Sequence, residues 1–472
     1  MVLAQQSYVG EAFSTTGGDD RSGISLEDGS RIAVVGGGPA GSFFSYFLLK
    51  MAGTIDLDVT VDIFDPRSFS NCGPAGCNHC GGIVSETLIQ ILAAEGINLP
   101  RSVVQRGIES YVVHMDVGSV AIESLSGEMR IAALYRGNGP REGGEPPREG
   151  GESPWESFDG YLQNMTKDMG AKVVRQLITG VDWRDGYPWL QFADHSETRY
   201  DLIAVASGVN SNFINMLDAM PVTLKPPRTT RTFICEFKSS EAELLEILGN
   251  AVHVFLLAIP RLEFAAIIPK GDFATVVMVG EDLDQELVHE FLNDPVVRDC
   301  FPTDSTPCVC SCSPLINLKA RSRPYGDRLV MVGDSGVTRL YKDGIGAAFR
   351  TAKAAASTAV FHGISEQAFE SKFWPACNRI KNDNAIGAVM FASTGLFKRF
   401  RFLRRIMYSM AAREQQKANR KPHMSSMLWN MFTGSAPYTE ILRDAMHPGF
   451  IGHFGWNLLN PMRTKVKQKR TE

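Results

Sequence analysis

Residues Arg31 to Lys50 read RIAVVGGGPAGSFFSYFLLK. Ile32 to Val35 is a short apolar run of the kind that forms a strand buried on both faces, and Ser42 to Lys50 reads as a helix. Between them Gly36, Gly38 and Gly41 stand in the spacing G-x-G-x-x-G. The first glycine allows the tight turn and the second lets backbone approach a pyrophosphate. The third lets helix pack on strand, and the helix N-terminus supplies an anion site. Pro39 and Ala40 lie inside this turn and belong to the same binding group. A ligand-free glycine turn competes with this reading while the spacing stands alone. The context favours the ligand. A second strand, VTVDIFDP, ends at Asp65, 29 residues after Gly36, where an acid can take the hydroxyls of an adenosine ribose. Asp62 is the rival acid but sits mid-strand.

Outward from that stretch, 472 residues, 44% hydrophobic and 21% charged, allow two or three packed layers and two subdomains. The net charge of -4 conceals an asymmetry. Residues 391–472 hold 15 Lys+Arg against 4 Asp+Glu, a net of +11, which leaves -15 on the remainder. An acidic body with a basic tail argues against a nucleic-acid groove and for an anionic partner at the tail. Residues 1–30 show no basic start and no apolar run, so they read as a disordered arm rather than a signal peptide. Nine cysteines without an export signal point to a reducing, cytoplasmic compartment. No uncharged run is long and unbroken enough for a membrane span.

Further along, Ser85 caps a helix, ESYVVHMDVGSVAIES is strand-like, and GPREGGEPPREGGESP is a Gly/Pro/charge-rich insert that cannot build a core. Residues 231–320 alternate like antiparallel strands, and the last 120 residues read as helical. Two more pieces join the first. In YDLIAVASGVNS an apolar strand ends at Ser207-Gly208. In RLVMVGDSGVTRLYKDGIGAAFRTAKAAA a buried strand ends at Gly333-Asp334, and Gly344, Ile345 and Gly346 open a helix. A carboxylate at that turn can hold ribitol hydroxyls. The following helix N-terminus can offer N–H groups to a flavin pyrimidine edge. The predicted fold is α/β (α+β overall): a Rossmann-like FAD-binding domain, an inserted antiparallel sheet and a helical C-terminal region. Its parts are 31–115, 150–228 and 320–360 for the FAD domain, with a mobile insert at 137–153. Residues 229–319 form the substrate domain and 361–472 the basic helical region.

These motifs resemble the FAD-dependent oxidoreductases of the p-hydroxybenzoate hydroxylase fold, and within them the geranylgeranyl reductase family, over residues 31–360. The resemblance implies that Gly36, Gly38, Gly41, Asp65, Gly208, Gly333 and Asp334 contact FAD. FDGYL, from Phe158, resembles the family's FD-x-x-L helix, but Trp155 stands where an arginine usually precedes it. Arg136 in YRGNGPR is the substitute phosphate ligand. The family's sheet motif Y-x-W-x-F-P-K reads Phe264, Ala266, Ile268, Pro269, Lys270, which keeps only the Pro-Lys. That departure puts the substrate in question, not the fold.

The cysteine stretch NCGPAGCNHCGGI, Asn71 to Ile83, resembles the cysteine-glycine segment of the reductases. Gly81 and Gly82 would let backbone approach a flavin ring, and Cys80 would be a proton donor. Cys72, Cys77 and Cys80 alternatively hold an iron-sulfur cluster or zinc, joined by Cys308, Cys310 and Cys312 of CVCSC. Lys342 is a charge partner for the flavin or a solvated loop lysine. His79 is a second proton donor or a packing residue. In LFKRFRFLRRIMYSM, Leu396, Phe400, Leu403, Met407 and Met410 lie along one helical face, with basic residues largely off it. With Trp429, Trp456 and the basic tail they suggest an anionic membrane surface; the alternative is a helix docked on the acidic body.

The expected function is reduction of C=C bonds in an isoprenoid or lipid-like hydrophobic substrate, by hydride transfer from flavin, on a cytoplasmic, peripherally membrane-bound protein. NAD(P)H or a reduced redox partner protein would supply electrons. The alternatives are a flavin monooxygenase and an electron-transfer flavoprotein subunit.

Overall fold

The computed structural model describes residues 24–69, 80–124, 131–140, 156–218, 227–301, 310–416 and 422–460. Among them, six strands form one sheet in the order Tyr325–Gly326, Leu329–Met331, Leu202–Val205, Ser30–Val35, Val59–Phe64, Lys172–Val174. All neighbours are parallel except the edge pair that begins at Tyr325. Parallel strands are covered on both faces, which explains why LIAV and LVM are fully buried. Alternation sends Ile32 and Val34 to one face, under the helices Pro39–Gly53 and Gly344–Phe361. There Phe349 meets Phe43 and Phe47 edge to face at 5.5 and 5.2 Å. Ala33 and Val35 face the opposite way, onto Leu190 and Phe192 of a small three-stranded sheet. The fold class is the one the sequence predicts.

The second sheet runs Cys310–Cys312, Arg228–Lys238, Phe273–Gly280, Leu262–Lys270, Ala251–Phe255, Ser110–Met115, Gly118–Glu123. This moves a predicted boundary. The sequence reading ends a piece of the FAD domain at 115, yet Ser110–Met115 pairs in parallel with Ala251–Phe255, placing Tyr111 opposite Val252 and Val113 opposite Val254. A pairing across about 140 residues leaves no local mark on either strand. The N-terminal boundary also shifts. Leu26 is buried in the core, and the Ile24 carbonyl accepts from the Ile364 N–H, so packed structure begins before residue 31. Of the 137–153 insert, residues 141–153 lie outside the described residues.

The C-terminal helices correct the expected apolar stripe. The helix Trp374–Arg399 ends at Phe400, whose backbone is extended (φ -109°, ψ 106°), and a new helix runs Arg401–Gln415. That break splits the stripe. Leu396 and Phe400 are exposed, while Met407 and Met410 are buried with Ile406 against the second sheet. Arg404 is buried too, its Nη2 donating to Asp116 Oδ2 at 3.0 Å. Full burial of each such apolar side chain stabilises by about 1.5–3 kcal/mol. A surface cation gains only about 1 kcal/mol at an anionic bilayer. Docking on the body therefore wins for this face. Trp429 is likewise in the core, its Nε1–H donating to Glu86 Oε1 at 3.0 Å, whereas Trp456 is exposed. Among the described residues no helix is long and apolar enough to cross a membrane.

Candidate functional site

The glycine turn is built by exclusion. A Cβ on Gly41 would lie 1.9 Å from the Gly36 carbonyl oxygen, and one on Gly36 (φ +106°) would lie 2.6 Å from that of Ala206. The helix Pro39–Gly53 starts with proline at its first turn, no acid there, and no side-chain cap at Gly38. Its first N–H groups therefore keep their donor capacity and the positive end of the helix dipole. Arg136 reaches the same point: its Nη2 stands 2.8 Å from where a Cβ on Gly38 would be. Asp159 grips the guanidinium through Nε at 3.1 Å and Nη2 at 2.8 Å. Burial works against the charge on Arg136, but Asp159 outweighs it and holds the guanidinium protonated.

Asp65 follows the second strand as predicted but is otherwise engaged. Its Oδ2 accepts from the Gly37 N–H at 2.9 Å and its Oδ1 accepts from the Arg67 N–H and Nε. Side-chain exposure of 1% leaves it bracing the turn, while Arg67 reaches the cavity. Asp62, the rival acid, accepts from the Tyr200 hydroxyl at 2.9 Å.

A cavity of ≈ 380 Å³ joins the separated motifs. Gly38, Pro39, Ala40, Cys80, Gly81, Gly82, Arg136, Gly208, Asp334, Gly344 and Ile345 all line it. Gly36, Gly41, Gly333 and Gly346 are not among its lining residues. Gly333 (φ +61°) passes so close to Ala40 that a Cβ there would be 2.7 Å from the alanine's. Gly346 leaves room for Asp343, whose carboxylate pairs with Arg339 and Arg350 at 3.1 and 2.9 Å. Asp343 occupies the N-cap of the helix from Gly344 in a left-handed conformation, with no side-chain cap, so this helix too presents bare N–H groups. Burial pushes the Asp334 carboxyl above the ordinary carboxylate range, with Thr338 and Arg136 pulling against it. Among the described residues, the buried Ser207 Oγ and Asn317 Oδ1 of the cavity residues are polar atoms with no hydrogen-bond partner.

The cysteine segment is fixed at its glycine end. Gly82 has φ +68°, and a Cβ there would fall 1.9 Å from the Leu134 carbonyl oxygen. Its N–H points to Cys80 Sγ at 3.3 Å. Cys72, Cys77, His79 and Cys308 lie outside the described residues. Cys310 and Cys312 are described on a strand but do not line the cavity with Cys80.

Lys342 departs from expectation. The residue lines the cavity, yet its Nζ donates to the carbonyls of Asn430 (2.9 Å) and Ala436 (3.3 Å) and lies 4.1 Å from the Tyr438 ring centroid. The ammonium anchors the C-terminal helices instead of serving as a flavin charge partner. Sequence reasoning missed Tyr111 and the lid residues Phe391, Met431, Phe432 and Thr433, all in the cavity wall. Arg67 carried a readable signal two residues after Asp65; the lid residues had none.

No family model matches the chain. It is 26% identical over 201 residues to geranylgeranyl diphosphate reductase of Synechocystis sp., a match covering 40% of this chain and 41% of that protein. The chain thus aligns with well under half the length of this curated relative. A geranylgeranyl bacteriochlorophyll reductase-like protein of Thermoplasma acidophilum superposes with a TM-score of 0.61 at 16% identity, over 92% of this chain and all of that one. A halogenase solved in complex with FAD superposes with a TM-score of 0.54 at 12% identity, over 91% of this chain and 90% of that one. The fold is the one shared by these neighbours, among them a halogenase that binds FAD. In sequence, the aligned 201 residues are similar to a geranylgeranyl reductase.

Burial, then the like charge of Arg339, brings the Lys342 ammonium from 10.5 down to about 7, against the pull of Asp343 and Asp383. Between about pH 7 and 10.5 the folded chain thus binds fewer protons here than the unfolded chain, and the Lys342 contribution to stability rises with pH across that window. Urea denaturation should show wild type gaining on Lys342→Met as pH climbs from about 7 to 10. A flat difference would mean the ammonium is solvated.

Proposed function

We propose that this chain binds FAD and reduces carbon–carbon double bonds of an isoprenoid or similarly lipid-like substrate. The supporting observation is that the glycine turn and the Gly333-Asp334 turn open into one cavity with an apolar sheet face. That face is Val252, Val254, Ala266, Ile268 and Val277. The residues present fit the cofactor: two uncapped helix N-termini, a cradle that a Cβ on Gly38 would fill, and the orphaned Ser207 Oγ and Asn317 Oδ1. Gly38 and Arg136 would hold the diphosphate, Asp334 the ribitol, and Gly344 and Ile345 the pyrimidine edge.

When bound and reduced by NAD(P)H or a partner protein, FAD supplies the hydride. The protein does the rest. The apolar wall excludes water and takes the hydrocarbon, with Ala266 leaving open the space that the family's tryptophan fills. Cys80, held at the cavity by the Gly82 N–H, gives its thiol proton to the substrate carbon opposite the hydride and recovers it from water. Membrane contact, in this reading, falls to the exposed Leu396, Phe400 and Phe402, flanked by Arg399 and Arg401, and to Ile451, Trp456, Leu458 and Leu459 of the last described helix.

Gly38→Val should purify nearly flavin-free, because the branched side chain displaces Arg136 and blocks the close approach; full flavin content in that variant would sink the cofactor assignment. Cys80→Ser should keep its flavin and its reduction by donor while turnover of an isoprenoid substrate falls roughly 10²-fold, the scale of a lost general acid. Unchanged turnover removes Cys80 from the chemistry, and substrate-coupled oxygen consumption would favour a monooxygenase. On liposomes containing anionic lipid, the full chain should float at low salt and less so as salt screens the surface. Equal flotation by a Phe402→Ser/Trp456→Ser double variant would count against the apolar contacts.

A further inference from the structure

The second sheet has another face, and it carries a polar cluster that the proposed chemistry does not use. Val252 and Val254 line the cavity, so the intervening His253 points away from it. His114, on the neighbouring strand, meets it there, with Nε2 2.8 Å from His253 Nδ1. Cys300, following a short helix, brings its Sγ to 3.6 Å from His253 Nδ1 and 3.8 Å from His114 Nε2. All three side chains are buried in a layer otherwise filled by Phe255, Phe291 and Val297, and His114 stacks on Phe255 with centroids 4.7 Å apart.

We propose that His114 Nε2, His253 Nδ1 and Cys300 Sγ bind one zinc ion, which ties three sequence-distant parts of the sheet domain together.

The donor set suits a borderline-soft ion: two imidazoles and a thiolate, with a fourth position left for water. Tetrahedral bonds of about 2.0–2.1 Å to nitrogen and 2.3 Å to sulfur place S and N roughly 3.6 Å apart, and N and N roughly 3.3 Å apart. The sulfur distances already match, and the two rings need to part by only about half an ångström. The outer hydrogen bonds are also in place. The Leu248 carbonyl, 3.0 Å from His253 Nε2, can only accept, so the proton sits on Nε2 and Nδ1 offers its lone pair. Ser119 Oγ is 2.8 Å from His114 Nδ1 and can donate or accept. Metal binding therefore moves the His114 proton to Nδ1 without losing that bond, while Cys300 releases its proton to solvent. A dication is what would make the thiolate tolerable in this apolar layer.

The full chain, stripped with chelator and reloaded with Zn2+, should retain one zinc per molecule by elemental analysis after gel filtration. With Co2+ in place of zinc, it should show an intense tetrahedral spectrum with a thiolate-to-cobalt band. Cys300→Ser should abolish that band while Cys80→Ser keeps it, which separates this site from the cysteine stretch at 71–83. Ser119→Ala should weaken zinc binding about 10–100-fold, the usual loss when an outer partner is removed. X-ray absorption on the wild-type zinc form covers the case in which Cys300→Ser fails to fold: a shell of one sulfur and three nitrogen or oxygen donors supports the site. A sulfur-dominated shell, substoichiometric zinc, or a thiolate band insensitive to Cys300 would overturn it.

Discussion

The Gly36 carbonyl oxygen occupies nearly the point where a side chain at residue 41 would begin, 1.9 Å from a Cβ built there. Only glycine lets the helix Pro39–Gly53 approach the end of the first strand so closely, and that approach aims its N–H groups into the cavity. The same crowding recurs on the neighbouring strand, where Gly36 passes over the Ala206 carbonyl, and across the turn, where Gly333 passes Ala40. Three chain segments far apart in sequence thus converge because a glycine stands on at least one side of each contact. The anion site, the Asp334 position and the Ser207-Gly208 strand end are all placed by this absence of atoms.

What was legible in the sequence follows from how local each cause is. G-x-G-x-x-G, the apolar strand runs and the Gly333-Asp334 turn encode their geometry within a few residues, so the first sheet and most of the cavity floor could be read directly. The pairing of Tyr111 with Val252 could not, since strand partners are selected by tertiary packing rather than by neighbours in the chain. The apolar stripe from Leu396 to Met410 has correct helical spacing, but periodicity is blind to the break at Phe400 that sends its two halves to different surroundings. Trp429 and Lys342 fail for a related reason. Each is amphipathic, and only the fold supplies Glu86 for the indole and the Asn430 and Ala436 carbonyls for the ammonium.

The lid is held by a few polar contacts. Glu86 accepts from both the Trp429 indole and the Ser435 hydroxyl, each at 3.0 Å, and it begins the helix that follows the Gly81-Gly82 segment. Arg339 donates to the Gly434 and Ala436 carbonyls at 2.8 and 2.9 Å from the opposite side. The segment bearing Cys80 and the turn bearing Asp343 are therefore braced by the same short stretch, residues 429–436. Through it the C-terminal helices shape the cavity, and among the described residues they contribute Phe391, Met431, Phe432 and Thr433 to its wall and no ionisable group.

Gly38 and Thr433 share that wall, which constrains how the protein is made. A ribosome adding roughly 5–20 residues per second needs on the order of 20–80 s to reach the second after the first. For the last part of that interval, roughly 8–33 s between Ile268 and Met431 at this rate, the apolar sheet face, with Val252, Val254 and Ile268, lacks its cover from residues 431–433. Nascent chains must pass through a stage in which the floor is synthesised and the roof is not, open to chaperones and to aggregation alike. A closed pocket is thus a late event in this protein's biogenesis, and translation speed becomes one of the variables that set its yield.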